Sequence, residues 1–496
     1  MPTIIHWFRR DLRLHDNLAL IEALRASGGR VVPLFVFDNT ILRSRRVGPA
    51  RVQFMLESLH ALNHALRERG SQLVVRRGPP ERELIGVARE SGAEGVFFNR
   101  DYTPFARERD QRVEAALREQ RLDIQTFQDL VIVEPDDLLT KAGKPYTVYT
   151  PYRRQWRTRI ESDPRAVIGE QQLAAFAPLP DQLTLGTLPT LQDLGFTPRQ
   201  NARPGGEAEG LKRLHAFVDL SNSDGISDYH NQRDLMARPA TSRLSAYLHL
   251  GCVSTQACLR AALYALEEAQ GEARNGVDGW MNELAWHDFY MQILYHFPYV
   301  LRGAFKQEYN RLEWSNNEEH FAAWCEGRTG YPIVDAAMRQ LNTEAWMHNR
   351  ARMIVASFLI KDLLINWQWG EDYFLQQLVD GDHAANNGGW QWVAGTGTDA
   401  QPYFRIFNPV SQGQKFDPQG EYVRRYVPEL ALVPNKYIHQ PWTMPESEQR
   451  KAGVTIGSEY PQPIIDHRIQ REKALEMYSR VTTRPQLASK AAQHED

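Results

Sequence analysis

The sequence predicts an α/β N-terminal domain on a Rossmann-like parallel sheet, joined by a long linker to an all-α C-terminal domain. Three observations carry this prediction. The first 130 residues alternate short apolar runs with amphipathic segments, proline and glycine crowd the chain from about 128 to 205, and helical periodicity dominates beyond that point. At 496 residues the chain exceeds one compact core, so several domains are the default, with capacity to enclose a large ligand.

In chain order, TIIHWF reads as a strand, NLALIEALRAS as a helix, RVVPLFVF as a strand and ARVQFMLESLHALNHALRERG as a helix; QLVVR and EGVFFN are further strands. This βαβ rhythm implies a parallel sheet with helices on both faces. No GxGxxG follows the first strand, which leaves a dinucleotide-binding loop without support. The loop RRDLRLHDN stands there instead, offering either helix caps and ion pairs or ligand contacts. FAPLPDQLTLGTLPTLQDLGFTPRQNARPGG reads as a connection with a few short helices. Helical segments follow around 207–220, 254–270, 279–297, 331–342, 345–365 and 371–379. The expected division is therefore 1–130, a linker over 131–205, a helical domain over 206–480 and a polar, disordered tail over 481–496.

Hydrophobic content of 42% and charged content of 24% are those of a soluble globular protein. No run of about 18 apolar residues marks a membrane span. The N-terminal MPTIIHWFRRDLRL lacks the apolar core of a signal peptide, so a cytoplasmic location is expected. Cys252, Cys258 and Cys325 are too scattered for a disulfide framework or a zinc site, and no metal is expected. Residues 1–130 carry 21 Arg and no Lys against 17 Asp and Glu, giving +4; the whole chain is −3, so the remainder is −7. A nucleic-acid site would have to rest on a local patch.

The run Asp380 to Trp392, DGDHAANNGGWQW, mixes carboxylates, amides, a glycine pair and tryptophans. Gly388 and Gly389 would allow close backbone approach or positive φ, and Asn386 and Asn387 bring donors and acceptors. A polar turn followed by a short strand is the plain structural alternative. TSRLS, Thr241 to Ser245, places hydroxyls and Arg243 ahead of an apolar helix, either as a phosphate site or simply as an N-cap. Tyr229 and Arg233 lie just upstream and could join one phosphate or adenine pocket. In WMNELAWHDFY, helical spacing puts Glu283, Trp286, His287 and Tyr290 on one face, suited to stack and hydrogen-bond a planar base or to half-buried packing. Asn349, Arg352 and Met353 recur one turn apart, with Arg352 available to a carboxylate such as Asp380.

WFRRDLRLHDN, TSRLS, NELAW, GYPIVDAAMRQL, WMHNR, FLIKDLLINW, DGDHAANNGGWQW and YFRIFNP occur in this order over nearly the whole chain. Together they resemble the photolyase/cryptochrome family, and within it the class I cyclobutane pyrimidine dimer DNA photolyases. The resemblance implies a helical domain that holds reduced FAD, and light-driven electron donation to a dimer flipped out of DNA, with return of the electron after splitting. It assigns Tyr229, Thr241, Ser242, Arg243, Leu244, Ser245, Arg352, Asp380, Gly381 and Asp382 to the cofactor, and Asn386 to flavin N5. Glu283 and Asn349 would serve the dimer as catalytic groups, with Trp286, Trp392 and Met353 packing it and Arg233 and His287 near the DNA. Trp390, Trp367 and Trp314 match an electron-transfer chain. His287 stands where many relatives carry Arg. Phe35, Asp38, Arg51 and Asp101 match a deazaflavin-type or flavin antenna pocket better than a methenyltetrahydrofolate one, although Thr103 and His249 depart from it. The expected partner is damaged DNA, bound by a monomer that has no obligate protein partner and associates with the bacterial nucleoid. A blue-light receptor without repair activity, a (6-4) photolyase and a DASH-type protein are the alternatives; Asn386 and the short tail oppose the receptor.

Overall fold

The computed structural model describes residues 1–162, 173–200 and 203–491, with side chains as far as 481. They form two compact units: Met1–Asn231 with Ala240–Pro298 and Val379–Ala384, and Gln232–Pro239 with Tyr299–Leu378 and Ala385–Asp496.

In the first unit, β1 (Ile4–Phe8), β2 (Val31–Phe37), β3 (Val74–Arg77), β4 (Gly95–Asn99) and β5 (Asp123–Phe127) form a parallel sheet of order β3-β2-β1-β4-β5. Ile5 lies opposite Val32 on one side and Val96 on the other. Strands β1, β2 and β4 are buried along their whole length, which is why their sequences are unbroken apolar runs. The edge strand β5 reads DIQTF and keeps partial exposure, so no apolar run announces it. Helices α1 (Leu18–Ser27), α2 (Pro49–Glu68), α3 (Pro80–Ser91) and α4 (Pro104–Glu119) alternate with the strands. Leu84, Val87, Val113 and Leu117 from α3 and α4 share a core with Trp7, Val32 and Val96. Each such side chain contributes roughly 1.5–3 kcal/mol by leaving water.

The loop after β1 is a structural hub. Asn17 caps α1 by accepting the Leu20 N–H at 3.2 Å, and Arg9 donates to Asp110 at 2.6 and 2.7 Å. Arg13 pairs with Asp16 at 2.9 Å and with Asp129, and Asp16 also holds Arg260 at 2.7 Å. Helices α5 (Tyr149–Ser162), α6 (Glu207–Val218), α7 (Thr255–Glu268) and α8 (Glu272–His296) belong to the same unit. Asp288 on α8 accepts the Ile132 and Val133 N–H groups at 3.0 Å and the Trp156 indole N–H at 2.9 Å, tying α5 and the chain after β5 to α8. Cys252 and Cys258 are buried and Cys325 is half-buried, all as free thiols.

In the second unit, α9 (Glu318–Glu326), α10 (Pro332–Glu344), α11 (Asn349–Ser357) and α12 (Trp367–Gln377) pack around an apolar core. The helix expected across 345–365 begins at Asn349 and runs through a π turn to Asp362. Ala345 takes a left-handed backbone (φ 53°) and closes α10, and His348 caps α11 by accepting the Arg350 N–H at 3.1 Å. A single π turn, Phe358–Asp362, ends that stretch. Within it the buried Lys361 ammonium donates to the Ala394 and Tyr403 carbonyls at 3.3 and 3.1 Å, and burial pushes its pKa down to about 7. Helix α13 (His383–Ala394) crosses from one unit's residues to the other's. Helix α14 (His467–Ala491) runs into the stretch expected to be a disordered tail, where Leu, Ala, Lys and Gln favour helix; residues 492–496 of that tail lie outside the described residues.

Candidate functional site

The run Asp380 to Trp392 is a loop followed by a helix, which replaces the turn-and-strand alternative. Asp382 accepts the Ala384 N–H at 2.9 Å ahead of the first turn, and α13 begins at His383. Gly388 and Gly389 both sit inside α13, and a β-carbon on Gly389 would meet nothing within 4 Å, so neither serves the positive-φ role expected of it. Helical spacing stacks Asn386 and Trp390 one turn apart.

Within the first unit, Asp380, Gly381 and Asp382 are each held from elsewhere in the fold. Ser245 donates its hydroxyl to Asp380 at 2.5 Å, Arg51 donates to the Gly381 carbonyl, and Arg10 donates to Asp382 at 2.8 Å. Burial alone would raise the Asp382 carboxyl, but Arg10 and the hydrogen bond with His249 outweigh it and hold the group well below the usual range. Burial, reinforced by Arg10, lowers His249 to about 4, so that ring is neutral. Burial likewise lowers Arg51 to about 10, opposed by Asp382 and Asp380.

Neither Thr241 nor Ser242 is the N-cap that the plain reading made them. The short helix is Ser245–His249 and follows Leu244, with no side-chain cap. Arg243 adopts a left-handed backbone (φ 51°), a conformation that costs a non-glycine residue about 1 kcal/mol or more and persists where surroundings enforce it. Thr241, Ser242 and Arg243 are half-buried and Tyr229 is buried, its ring edge-on to Phe217 at 5.8 Å.

On α8, Glu283, Trp286, His287 and Tyr290 are all half-buried. The Trp286 indole stacks on Tyr290 at 5.3 Å and, more closely, on Tyr149 at 3.5 Å with 7° between the planes. Tyr149 thus backs one face of Trp286. His287 Nδ1 lies 3.3 Å from Asp288 Oδ1.

The antenna candidates also have local partners in this unit. Asp38 accepts the Thr40 N–H at 2.8 Å, Asp101 accepts the Thr103 N–H at 3.0 Å and lies 3.7 Å from Arg10, and Phe35 meets Phe37 edge-on at 4.9 Å. Asp38 and Asp101 follow the C-terminal ends of β2 and β4, the edge at which open α/β sheets take ligands.

In the second unit, Asn386 donates its amide N–H to the Glu371 carbonyl at 3.1 Å, so the amide oxygen remains the acceptor end of the group. Arg352 donates to the Met347 carbonyl at 2.9 Å. Asn349 is exposed as the first residue of α11, while Arg233, Met353 and Trp392 are half-buried. Trp390 and Trp367 belong to one buried core, and the half-buried Trp314 packs against it. Trp390 meets Phe374 at 5.0 Å and Trp324 at 6.2 Å, both edge-on, and its buried indole N–H has no hydrogen-bond partner among the described residues.

Each unit, taken by itself, carries groups whose chemistry suits a reduced flavin. An amide oxygen oriented by a backbone contact suits an N–H, and firmly held carboxylates suit ring and ribityl donors. Sequence reasoning missed Arg10, Tyr149, Asp288 and Gly370. Arg10 and Asp288 act across long sequence separations that no spacing reveals. Gly370 carried a signal, a glycine inside a helical pattern.

The sequence of residues 4–171 matches the DNA photolyase family model, and residues 280–480 match the FAD binding domain of DNA photolyase. The chain is 41% identical over 488 residues to the deoxyribodipyrimidine photo-lyase of Escherichia coli K12, covering 96% of this chain and 98% of that protein. A bacterial class III photolyase from Agrobacterium tumefaciens superposes with a TM-score of 0.89 at 39% identity, covering 97% of this chain and 98% of that one. An archaeal photolyase from Sulfolobus tokodaii, solved with two FAD molecules, superposes with a TM-score of 0.80 at 32% identity, covering 96% and 100%. Full-length likeness in sequence and in fold, joined to a donor set that suits a flavin, establishes that the chain belongs to the photolyase/cryptochrome family.

Proposed function

We propose that the chain splits cyclobutane pyrimidine dimers in DNA, using Glu283 and Asn349 at the lesion and Asn386 at the flavin. As a family member with full-length relatives named deoxyribodipyrimidine photo-lyase, the protein is a FAD-binding, light-driven DNA repair enzyme. When bound, reduced FAD supplies the electron that opens the cyclobutane ring and receives it back. The chain's own residues bind and orient. Asp380, Gly381 and Asp382, fixed by Ser245, Arg51 and Arg10, would hold the flavin together with Tyr229, Thr241, Ser242, Arg243, Leu244, Ser245 and Arg352. The Asn386 amide oxygen would accept a hydrogen bond from the N5–H of the reduced flavin. Glu283 hydrogen-bonds the dimer and offsets charge developing on its carbonyls, a pre-organised role. Trp286, kept in plane by Tyr149, would present an apolar surface to the flipped pyrimidines, and Trp392 and Met353 are proposed to pack the dimer as well. Arg233 and His287 serve the DNA. Trp314, Trp367 and Trp390 would relay electrons from a reductant in solution towards the oxidised flavin.

The observation that carries this reading is that Glu283 and Trp286 share one face of α8, where Trp286 is stacked on Tyr149. A second chromophore of the flavin or deazaflavin class is proposed at Phe35, Asp38, Arg51 and Asp101; the absorption spectrum of protein from its native host identifies it. The protein is proposed to act as a monomer in the cytoplasm, and among the described residues no helix is long and apolar enough to cross a membrane. The test is lesion choice: illuminated with DNA carrying both photoproducts, the reduced protein should remove cyclobutane dimers and leave (6-4) products intact. Removal of the (6-4) products alone would transfer the assignment to that class.

A further inference from the structure

Within the first unit, two carboxylates share the Arg10 side chain. Its guanidinium donates to Asp382 at 2.8 Å and lies 3.7 Å from Asp101. Asp382 belongs to the loop assigned to FAD, whereas Asp101 follows β4 and belongs to the set proposed for the second chromophore. One cation therefore serves a residue from each candidate site. Arg51 adds a further tie, because it is itself a second-chromophore candidate and donates to the Gly381 carbonyl beside Asp382.

The shared cation is held in place by its backbone. Arg10 donates from its side chain to the His249 carbonyl at 2.9 Å, and the Leu12 N–H donates to the Leu250 carbonyl at 3.1 Å. Gly251 has a left-handed backbone (φ 62°), and a β-carbon there would collide with the Arg10 carbonyl. The loop after β1 is thus pinned to the turn that ends TSRLSAYLHLG, and it cannot drift towards either carboxylate.

Sharing has a consequence for affinity. Burial would raise both carboxyls, and Arg10 is the largest opposing influence at each, joined by Arg109 at Asp101 and by His249 at Asp382. Neighbouring His249 and His383 are both lowered to about 4, chiefly by burial, so at neutral pH neither ring supplies a replacement charge. A ligand that donates hydrogen bonds to Asp101 compensates part of that charge and leaves the Arg10 fork to Asp382, which firms the FAD loop. A flavin donor on Asp382 does the same for Asp101. Such coupling is reciprocal. Its sign is favourable because both ligands bring donors to carboxylates that compete for one cation.

We propose that Arg10 makes the two chromophore sites cooperative: FAD tightens the second site for a flavin or deazaflavin, and that chromophore tightens the FAD site by the same factor. The inference rests on the FAD loop and the second-chromophore site proposed above, and it gives them a relation. Chains that hold FAD then fill the second site first, which places an antenna where an acceptor for its energy is present.

The experiment uses the full-length protein and 8-hydroxy-5-deazaflavin, with FMN as a second probe. FAD dissociation from loaded protein is measured by equilibrium dialysis with and without saturating deazaflavin, and deazaflavin is titrated into FAD-loaded and FAD-stripped chains. Each chromophore should bind about fivefold or more tightly when the other is present, by equal factors in the two directions. In Arg10→Lys the charge remains but one ammonium cannot hold both carboxylates, so most of the factor should vanish. Asp101→Asn, a change off the FAD loop, should bind FAD more tightly than wild type with the second site empty, since Arg10 is released to Asp382. Equal affinities with and without the other chromophore would overturn the inference, as would mutual weakening, which marks competition for one site. An undiminished factor in Arg10→Lys, or unchanged FAD affinity in Asp101→Asn, would overturn it too. Should either variant unfold, the wild-type factors still decide. Deazaflavin and FMN that both fail to bind FAD-loaded wild type would sink the second-chromophore reading and the coupling with it, whereas binding without coupling sinks the coupling alone.

Discussion

The Trp390 indole occupies the space where Gly370 lacks a side chain: a β-carbon there would lie 2.1 Å from Cη2 of the ring. Helices α12 and α13 therefore meet through a glycine, and the ring's position depends on it. Gly370→Ala must move Trp390 or the helix, an overpacking that costs about 1–3 kcal/mol. Photoreduction of oxidised FAD should slow in this variant while chemically reduced protein still repairs. Normal photoreduction kinetics would show that the ring's place is not critical.

Trp390→Phe should abolish photoreduction, and Trp367→Phe and Trp314→Phe should reduce its yield, all with repair by the chemically reduced enzyme retained. Transient absorption of the tryptophan radicals is the measurement. A wild-type yield in Trp390→Phe would remove that residue from the chain.

Arg10 reaches Asp382 at 2.8 Å and the His249 carbonyl at 2.9 Å, holding the loop assigned to the flavin. Arg10→Ala leaves a buried carboxylate without its main partner, and such a loss costs about 3–5 kcal/mol. Apoprotein carrying it should bind FAD at least tenfold more weakly. Arg10→Lys should recover part of the affinity, because it restores the charge without the fork. Unaltered FAD affinity in Arg10→Ala, with a lowered melting temperature, would reduce Arg10 to a purely structural role.

The buried His6 and the half-buried His249 both have their pKa lowered to about 4 from 6.5, desolvation being the largest cause in each. Between those values the unfolded chain takes up protons that the folded one refuses, so stability falls as pH drops from 6.5 towards 4. Each site contributes up to about 3 kcal/mol of that loss. Thermal melts across this range should show the decline, flattened in His249→Gln. A flat profile in the wild type would contradict the burial argument.

The parallel sheet was legible because β1, β2 and β4 are buried on both faces and therefore spell unbroken apolar runs. Strand β5 was not, because an edge strand with partial exposure keeps Asp, Gln and Thr. In the site, Glu283 and Trp286 were legible as residue types at helical spacing, and Asn386 as an amide in an unusual run. The placement of Asn386 on a helix was not, since a sequence with two glycines and two asparagines argues for a turn until packing decides otherwise. Arg10 was visible only as one arginine of a basic loop; its partner Asp382 lies far along the chain, and only the fold brings them together.

The central claim is that this chain splits cyclobutane dimers by light through a pocket containing Glu283. Reduced, FAD-loaded protein is mixed with oligothymidylate carrying such dimers, and thymine absorbance is followed in light and in darkness. Absorbance should return only in light, with the Glu283→Ala yield lower by on the order of tenfold while flavin and DNA remain bound. Dimers that stay intact under illumination, with flavin reduced and DNA bound, would contradict the claim.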